Sequence, residues 1–85
     1  METIERAAIR YKKVAYSVPR PGRHHDVIHL LSKSGVGPDQ MHDQGFVTST
    51  GRFVDRIEGL AIATAANQIK EKTFPTTELF SEDIW

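Results

Sequence analysis

The residues best suited to chemistry lie in one stretch, residues 45–59, which reads GFVTSTGRFVDRIEG. A short β-branched run leads into a small polar turn, and two arginines follow the turn. Such a turn offers hydroxyl and backbone N–H donors, a helix that begins after it adds free N–H groups, and guanidinium groups grip phosphate bidentately. The pattern therefore predicts a phosphate-binding corner. Its polar residues are Ser49, Thr50, Gly51, Arg52 and Arg56.

A helix start completes this corner. Asp55 has a side chain suited to an N-cap, and Glu58 follows three residues later, as in a capping box in which Asp replaces Ser or Thr. Phe53 lies between the two arginines in the sequence, and its ring has two interpretations. It belongs to the core, as aromatic residues at strand positions usually do, or it stacks on a nucleobase beside the phosphate groups.

A second stretch, residues 21–26 (PGRHHD), also places a basic group and polar side chains between a strand and a helix. Arg23 and His24 are its candidate ligand residues. Together, Arg23, Arg52 and Arg56 would offer several converging donors to the phosphates of a nucleotide. The alternative interpretation is that each arginine is an exposed surface residue whose stem covers apolar neighbours.

Metal binding and catalysis have weaker support. His25 and His29 have the i, i+4 spacing of two zinc ligands on one helix face, but there is no HExxH pattern and the spacing specifies no further ligand. A hydroxyl of the polar turn near a histidine of residues 24–25 would make a nucleophile and a base. Nothing orients that pair, and hydroxyls beside glycine usually serve turns. The sequence therefore predicts no metal, no cofactor and no catalytic residue.

Length and composition restrict the class of protein. The 85 residues suffice for one small domain, residues 1–85, whose core is marginal without a staple or a partner subunit. There is no cysteine, so self-association is the expected source of further burial. Zero net charge argues against binding of polymeric nucleic acid through a basic surface. Without a long apolar run or a signal peptide, no membrane association is expected, and the protein is predicted to be cytosolic.

The order of predicted elements indicates the fold. Residues 4–18 alternate as a β-hairpin does, although the Lys12-Lys13 pair lacks the Gly or Asn of a tight turn. One helix begins at residues 23–26, and a second begins after Asp55 and is interrupted at Pro75. The predicted apolar side of the second helix consists of Ile57, Leu60, Ala61, Ala65 and Ile69. The predicted anchors of the tail are Leu79, Phe80, Ile84 and Trp85. The order β-β-α-β-α predicts an α+β fold with a small antiparallel sheet and two helices packed on one face.

Three segments, GRHHDVI, QGFVTSTGRFVDRIEGLAIATAANQI and ELFSEDIW, resemble the small phage proteins that defeat Thoeris immunity, the first type of Thoeris anti-defence protein. They occur in the expected order, and the resemblance spans about residues 5–85. The resemblance implies a sponge in the cytoplasm of the infected bacterial host. Such a sponge binds cyclic ADP-ribose isomers (1″-2′ or 1″-3′ linked) and sequesters them without cleavage, so that the defence effector is never activated.

The resemblance also implies further partners and specific ligand residues. Some family members capture cyclic dinucleotides and cyclic trinucleotides of the related CBASS defence, at separate sites of a hexamer built from dimers. By position, Arg23, Arg52 and Arg56 would grip the ligand, and Thr48 to Gly51 would line its pocket. The predicted ligand-binding residues are Arg23, His24, Thr48, Ser49, Thr50, Gly51, Arg52, Phe53 and Arg56. Two other classes stay open, a phage protein–protein interaction module and a cyclic-nucleotide hydrolase, which would need an oriented base or metal.

Overall fold

A β-hairpin opens the fold in the computed structural model, which describes residues 1–72 and 77–85. Its strands are β1 (Ile4–Tyr11) and β2 (Val14–Ser17), paired antiparallel with Tyr11 opposite Val14. The hairpin predicted within residues 4–18 is therefore confirmed. The loop residues Lys12 and Lys13 have φ angles of 50° and 66°. Both values lie in the left-handed region, so the loop has the primed-turn geometry that Asn-Gly favours, although it contains neither residue.

The elements after the hairpin follow in the order helix, strand, strand, helix. They are α1 (His24–Lys33), β3 (Gln44–Thr48), β4 (Phe53–Asp55) and α2 (Arg56–Ala65), with short 3-10 turns at Pro38–Gln40 and Ser81–Asp83. The strand order is β2-β1-β3-β4, and all neighbouring pairs are antiparallel. The predicted α+β class is confirmed. The predicted order β-β-α-β-α lacks β4, because three residues that end at a helix cap show too little alternation to indicate a strand.

Both helices lie on the same face of the sheet. Phe46 of β3 is fully buried on this face and packs in one cluster with Ala63 of α2. Ile9 of β1 shares the face by its register and packs with Val27 of α1. The predicted packing of two helices on one face is therefore confirmed. Among residues 1–72 and 77–85, Phe46 is the largest fully buried side chain, and truncation of such a ring to alanine typically costs about 3–5 kcal/mol of stability.

The length and buried side of α2 differ from the prediction. The helix ends at Ala65, and Asn67 takes a φ of 56°, so Ile69 reaches the core from the segment after the helix. The residues that α2 buries are Gly59 and Ala63, whereas Ile57 is 66% exposed. Of the predicted apolar side, Leu60 and Ile69 pack against the core cluster, whereas Ile57, Ala61 and Ala65 are exposed. The buried side is centred on small residues because they allow the helix backbone to approach the sheet closely.

The C-terminal residues close the core, as predicted. Leu79 and Ile84 are buried in the cluster around Phe46, and Trp85 packs against it. The Trp85 indole Nε1–H donates to the Gly22 carbonyl at 2.9 Å, and this bond holds the loop before α1. The Lys72 ammonium lies 3.1 Å from the fully buried Asp83 carboxylate. Pro75, the predicted point of interruption of the second helix, lies outside the described residues.

The strained loop of the first hairpin yields a stability prediction. Combining Lys12→Asn with Lys13→Gly is expected to raise the free energy of unfolding by about 1 kcal/mol, because Asn and Gly adopt positive φ at lower cost. Urea denaturation of the double variant and the parent measures the difference. The matched control replaces both lysines with alanine, which removes the same charges and keeps the strained backbone. An Asn-Gly variant no more stable than the Ala-Ala variant would contradict the prediction.

Candidate functional site

The β3–β4 hairpin builds the predicted corner. The Gly51 N–H donates to the Thr48 carbonyl at 2.9 Å, and the Thr48 N–H donates to the Arg52 carbonyl at 3.0 Å. Gly51 has a φ of 87°, in the left-handed region that glycine adopts without steric cost. A tight turn closed by a left-handed residue is a common three-residue hairpin loop. It fixes the side chains of Thr48, Thr50 and Arg52 on one side of the turn, and these three residues are called the anion corner below.

The donors of the anion corner converge on one carboxylate, that of Glu2. The Thr48 and Thr50 hydroxyls donate to Glu2 Oε2 at 2.5 and 2.9 Å. Arg52 makes a bidentate contact with the same carboxylate. Its Nε donates to Oε2 and its Nη2 donates to Oε1, each at 2.8 Å. Charge-assisted bidentate contacts of this kind are the strongest hydrogen bonds in proteins. The corner therefore binds an oxyanion, and in this structure the protein supplies it.

The corner also changes the acidity of the group that it holds. Hydrogen bonds from Arg52, and then from Thr48 and Thr50, lower the pKa of Glu2 to about 2 from its ordinary 4.5. The same ion pair raises the pKa of the Arg52 guanidinium. The Glu2 side chain is 22% exposed and that of Arg52 is 50% exposed, so water weakens this attraction. The corner thus stabilises an anion at the surface without enclosing it.

Glu58 and Ser49 hold the corner in place. Asp55 caps α2, since its Oδ1 accepts from the Glu58 N–H at 2.8 Å, and the predicted N-cap is confirmed. The Glu58 carboxylate was predicted to complete a capping box, but it accepts from Arg52 Nη1 at 2.8 Å and orients the guanidinium. The Ser49 N–H donates to the Thr3 carbonyl at 2.8 Å, and Ser49 Oγ accepts from the Thr3 N–H at 3.0 Å. This pair of bonds positions Glu2.

The structure places Arg23 and Arg56 in a second group, beside the C-terminal residues. An Arg23 Nη2–H donates to the Trp85 main-chain oxygen. Arg56 Nε donates to the Leu79 carbonyl at 3.2 Å, and its guanidinium lies 4.9 Å from the centre of the Phe80 ring. Burial lowers the pKa of Arg56, against the opposing effect of nearby acidic side chains. The three predicted ligand arginines are therefore divided, with Arg52 in the anion corner and Arg23 and Arg56 beside the C-terminal residues. We call the second set the C-terminal cluster (Arg23, Arg56, Phe80 and Trp85).

His24 lies in the core next to the C-terminal cluster. Its ring is 6% exposed and meets the Phe46 ring edge-on, with centroids 5.0 Å apart. Nε2 lies 2.7 Å from the Gly45 carbonyl, so this nitrogen carries the proton, and Nδ1 accepts from the Ser81 hydroxyl at 3.4 Å. Burial is the main cause that lowers the pKa of His24 to about 4. A neutral imidazole therefore joins β3 to the C-terminal residues, and its role as a ligand residue stays a prediction.

Phe53 points to the face of the sheet opposite the helices. The Arg10 guanidinium lies 4.8 Å from the centre of the Phe53 ring and pairs with Asp43 at 2.7 Å. A Cβ at Gly45 would lie 2.8 Å from Phe53 Cζ and 2.0 Å from the Val54 carbonyl oxygen. Only glycine therefore allows the ring and the neighbouring strand to lie so close to β3. Phe53 separates the two arginines in sequence, but in space its partner is Arg10.

Two features of the surface are not predicted by the sequence. Glu2 is 50 residues from Arg52 in the chain, and no local pattern indicates their pairing. An open groove of ≈ 670 Å³ lies between residues 10–13 and residues 39–43. Its basic and acidic side chains are mixed, and Arg10 within it is already paired with Asp43. In residues 1–72 and 77–85, no three His, Cys, Asp or Glu side chains come close enough to hold a metal ion.

The fold and the site define a small α+β protein with a surface cradle for an oxyanion. A family model described as phage T4 y16D protein matches residues 3–85, so the chain belongs to this family of phage proteins. Neither the curated proteins nor the solved structures contain a match. The resemblance to phage proteins is confirmed at this level, and the anti-Thoeris identity stays a prediction. No helix within the described ranges is long and apolar enough to cross a membrane.

The buried His24 predicts a loss of stability in acid. Its folded pKa is about 4, below the ordinary 6.5, so the unfolded chain binds a proton first as the pH falls. The stabilisation is complete above pH 6.5 and is lost as the pH falls through 4. Between pH 7 and pH 5, the free energy of unfolding is expected to fall by about 2 kcal/mol. Urea denaturation at the two pH values measures this change, in a range where Glu2 hardly titrates.

Two variants of α1 test whether His24 is the group responsible. His24→Gln keeps an N–H donor for the Gly45 carbonyl and removes the titration, so its stability should change little between pH 7 and pH 5. His29→Gln removes an exposed histidine of the same helix and should keep the pH dependence of the parent. A His24→Gln protein with the full pH dependence would assign the effect to another group.

Proposed function

We propose that this phage protein is a sponge that binds cyclic ADP-ribose isomers and sequesters them without cleaving them. The observation that carries the proposal is the convergence of Thr48, Thr50 and Arg52 on the carboxylate of Glu2. A phosphate group presents paired oxygens to a guanidinium fork as a carboxylate does. Cyclic ADP-ribose carries a pyrophosphate, so the corner has the chemistry to hold its charged part. The sequence resemblance to anti-Thoeris proteins supports this choice of ligand.

The C-terminal cluster supplies a second set of suitable contacts. Arg56 is half-buried, and burial lowers its pKa, so an anion placed beside it would offset a desolvation cost that water does not fully relieve. Phe80 and Trp85 carry cations on their faces, with the Arg20 guanidinium 5.4 Å from the centre of the Trp85 ring. Aromatic rings beside arginines suit a ligand that combines bases or riboses with phosphates.

Binding without cleavage agrees with the state of His24, a predicted ligand residue that lies beside the C-terminal cluster. A hydrolase needs an oriented base that reaches the ligand or its attacking water. Both ring nitrogens of His24 are engaged, one with the Gly45 carbonyl and the other with the Ser81 hydroxyl. The ring is buried, and burial keeps it neutral. These contacts favour a structural histidine, and they support the sponge over the hydrolase.

The affinity that a sponge requires favours a site between subunits. Nanomolar binding corresponds to about 12 kcal/mol, whereas hydrogen bonds to a charged group contribute about 1.5–3 kcal/mol each. The anion corner is half exposed, so water screens its arginine. A second copy of the chain that covers the corner would exclude this water and add contacts. We therefore propose a homo-oligomer, a dimer or a hexamer, that holds the ligand at an interface in the cytoplasm of the infected host. Cyclic dinucleotides and trinucleotides are further candidate ligands.

Calorimetry with the purified protein and the 1″-2′ and 1″-3′ isomers of cyclic ADP-ribose tests the proposal. We expect tight binding, with intact ligand recovered by chromatography after the complex is boiled. Arg52→Ala should weaken binding by about 10- to 100-fold, because it removes a bidentate charged contact. Arg6→Ala is the matched control, since Arg6 is an exposed arginine of β1, and it should bind as the parent does.

Each other outcome selects a different class of protein. Recovery of a linear product would make the protein a hydrolase. Absence of binding to these isomers and to cyclic di- and trinucleotides would leave the protein–protein interaction module. A ligand-bound structure in which one chain makes every contact would contradict the interface site.

A further inference from the structure

We infer that Glu2 is an internal occupant of the anion corner, and that a phosphate group of the ligand must displace its carboxylate in order to bind. This inference rests on the proposed function only in taking the corner as the ligand site. The Glu2 carboxylate uses both threonine hydroxyls of the corner and two of the nitrogens of Arg52. A ligand phosphate would use the same donors, so the two anions compete directly.

The backbone contacts around Glu2 allow its side chain to leave alone. Thr3 is bonded to Ser49 through both its N–H and its carbonyl group, at 3.0 and 2.8 Å. Ile4 is held in the same way by the Gln68 side-chain amide, at 2.8 and 3.0 Å. These bonds fix the main chain directly after Glu2 and do not involve its carboxylate. Rotation about the side-chain bonds of Glu2 would therefore vacate the corner while β1 stays in place.

The corner keeps its shape when the carboxylate leaves. Arg52 Nη1 donates to Glu58 at 2.8 Å, while the bonds to Glu2 come from Nε and Nη2. The turn is fixed by backbone hydrogen bonds between Thr48 and residues 51–52. The guanidinium therefore stays oriented by α2, and the two hydroxyls stay on the turn. The vacated corner is a preorganised oxyanion site, for which little ordering has to be supplied by the incoming ligand.

The strength of the internal contact decides which ligands can displace it. Exposed arginine–carboxylate pairs change an equilibrium by a factor of about five or less, and the Arg52 side chain is 50% exposed. The tethered Glu2 competes at a high effective concentration, which disfavours small anions that offer no other contact. A ligand with additional phosphate, ribose and base contacts can overcome the same competition. Glu2 would thus act as a selectivity element against simple anions.

Binding of inorganic pyrophosphate to the full chain tests the inference. Glu2→Gln removes the competing charge and keeps the shape of the side chain, and it should bind pyrophosphate about fivefold more tightly than the parent. Glu5→Gln is the matched control. Its carboxylate accepts from Thr3 Oγ1 and pairs with Arg20, and it carries the same charge as Glu2 outside the corner. This variant should bind pyrophosphate as the parent does.

A second measurement uses the unaltered protein. The NMR-monitored pKa of the Glu2 carboxyl group should rise towards its ordinary value when pyrophosphate saturates the corner, because the bonds from Arg52 and the threonines are then lost. Equal pyrophosphate affinity in Glu2→Gln and the parent, or a Glu2 pKa that stays low in the saturated protein, would overturn the inference. A fivefold gain in pyrophosphate affinity in Glu2→Gln, without binding of any cyclic ADP-ribose isomer, would uphold the inference and contradict the proposed function. Binding of a cyclic ADP-ribose isomer without a gain in pyrophosphate affinity in Glu2→Gln would support the proposed function and overturn the inference.

Discussion

Burial of the Phe46 ring is the interaction on which the rest of the structure depends. The ring packs with Ala63 of α2 and Leu79 of the C-terminal residues, and His24 meets it from α1. One side chain of β3 thus joins both helices and the end of the chain to the sheet. A loss of about 3–5 kcal/mol on its truncation would be a large part of the roughly 4–13 kcal/mol expected for a domain of this length. At the two ends of β3, the Gly45 carbonyl accepts from His24 and Thr48 forms part of the anion corner.

Although the protein has no net charge, its arginines occupy two different electrostatic environments. Arg52 lies between two carboxylates, Glu2 from the segment before β1 and Glu58 from α2. Exposed ion pairs of this kind add little to stability, so their value lies in orienting the guanidinium fork. At the C-terminal cluster, burial disfavours the charged form of Arg56 and lowers its pKa. In the proposed function, the two sites would therefore suit different parts of a ligand. The anion corner offers an exposed guanidinium, and the C-terminal cluster offers a half-buried arginine beside aromatic rings.

The phage family and the oxyanion cradle are two independent observations that bear on the function. The family places the protein among phage products, and the cradle specifies the chemistry of one binding contact. The proposed sponge function agrees with both observations, because sequestration requires affinity for a ligand and no positioned catalytic base. If the proposed displacement of Glu2 holds, a ligand would also have to replace an anion that the protein itself supplies, and this would add selectivity.

The sequence by itself determined the features that depend on neighbouring residues. These are the first hairpin, the Asp55 cap, the polar turn ending at Gly51 and the donors that the turn presents, each of which follows from local geometry or hydrogen bonding. Only the tertiary structure decided what meets across the chain. It brought Glu2 to Arg52, turned Phe53 towards Arg10, and buried the small residues of α2 against the sheet. Contacts between residues distant in the chain depend on packing and strand register, and no local pattern records them.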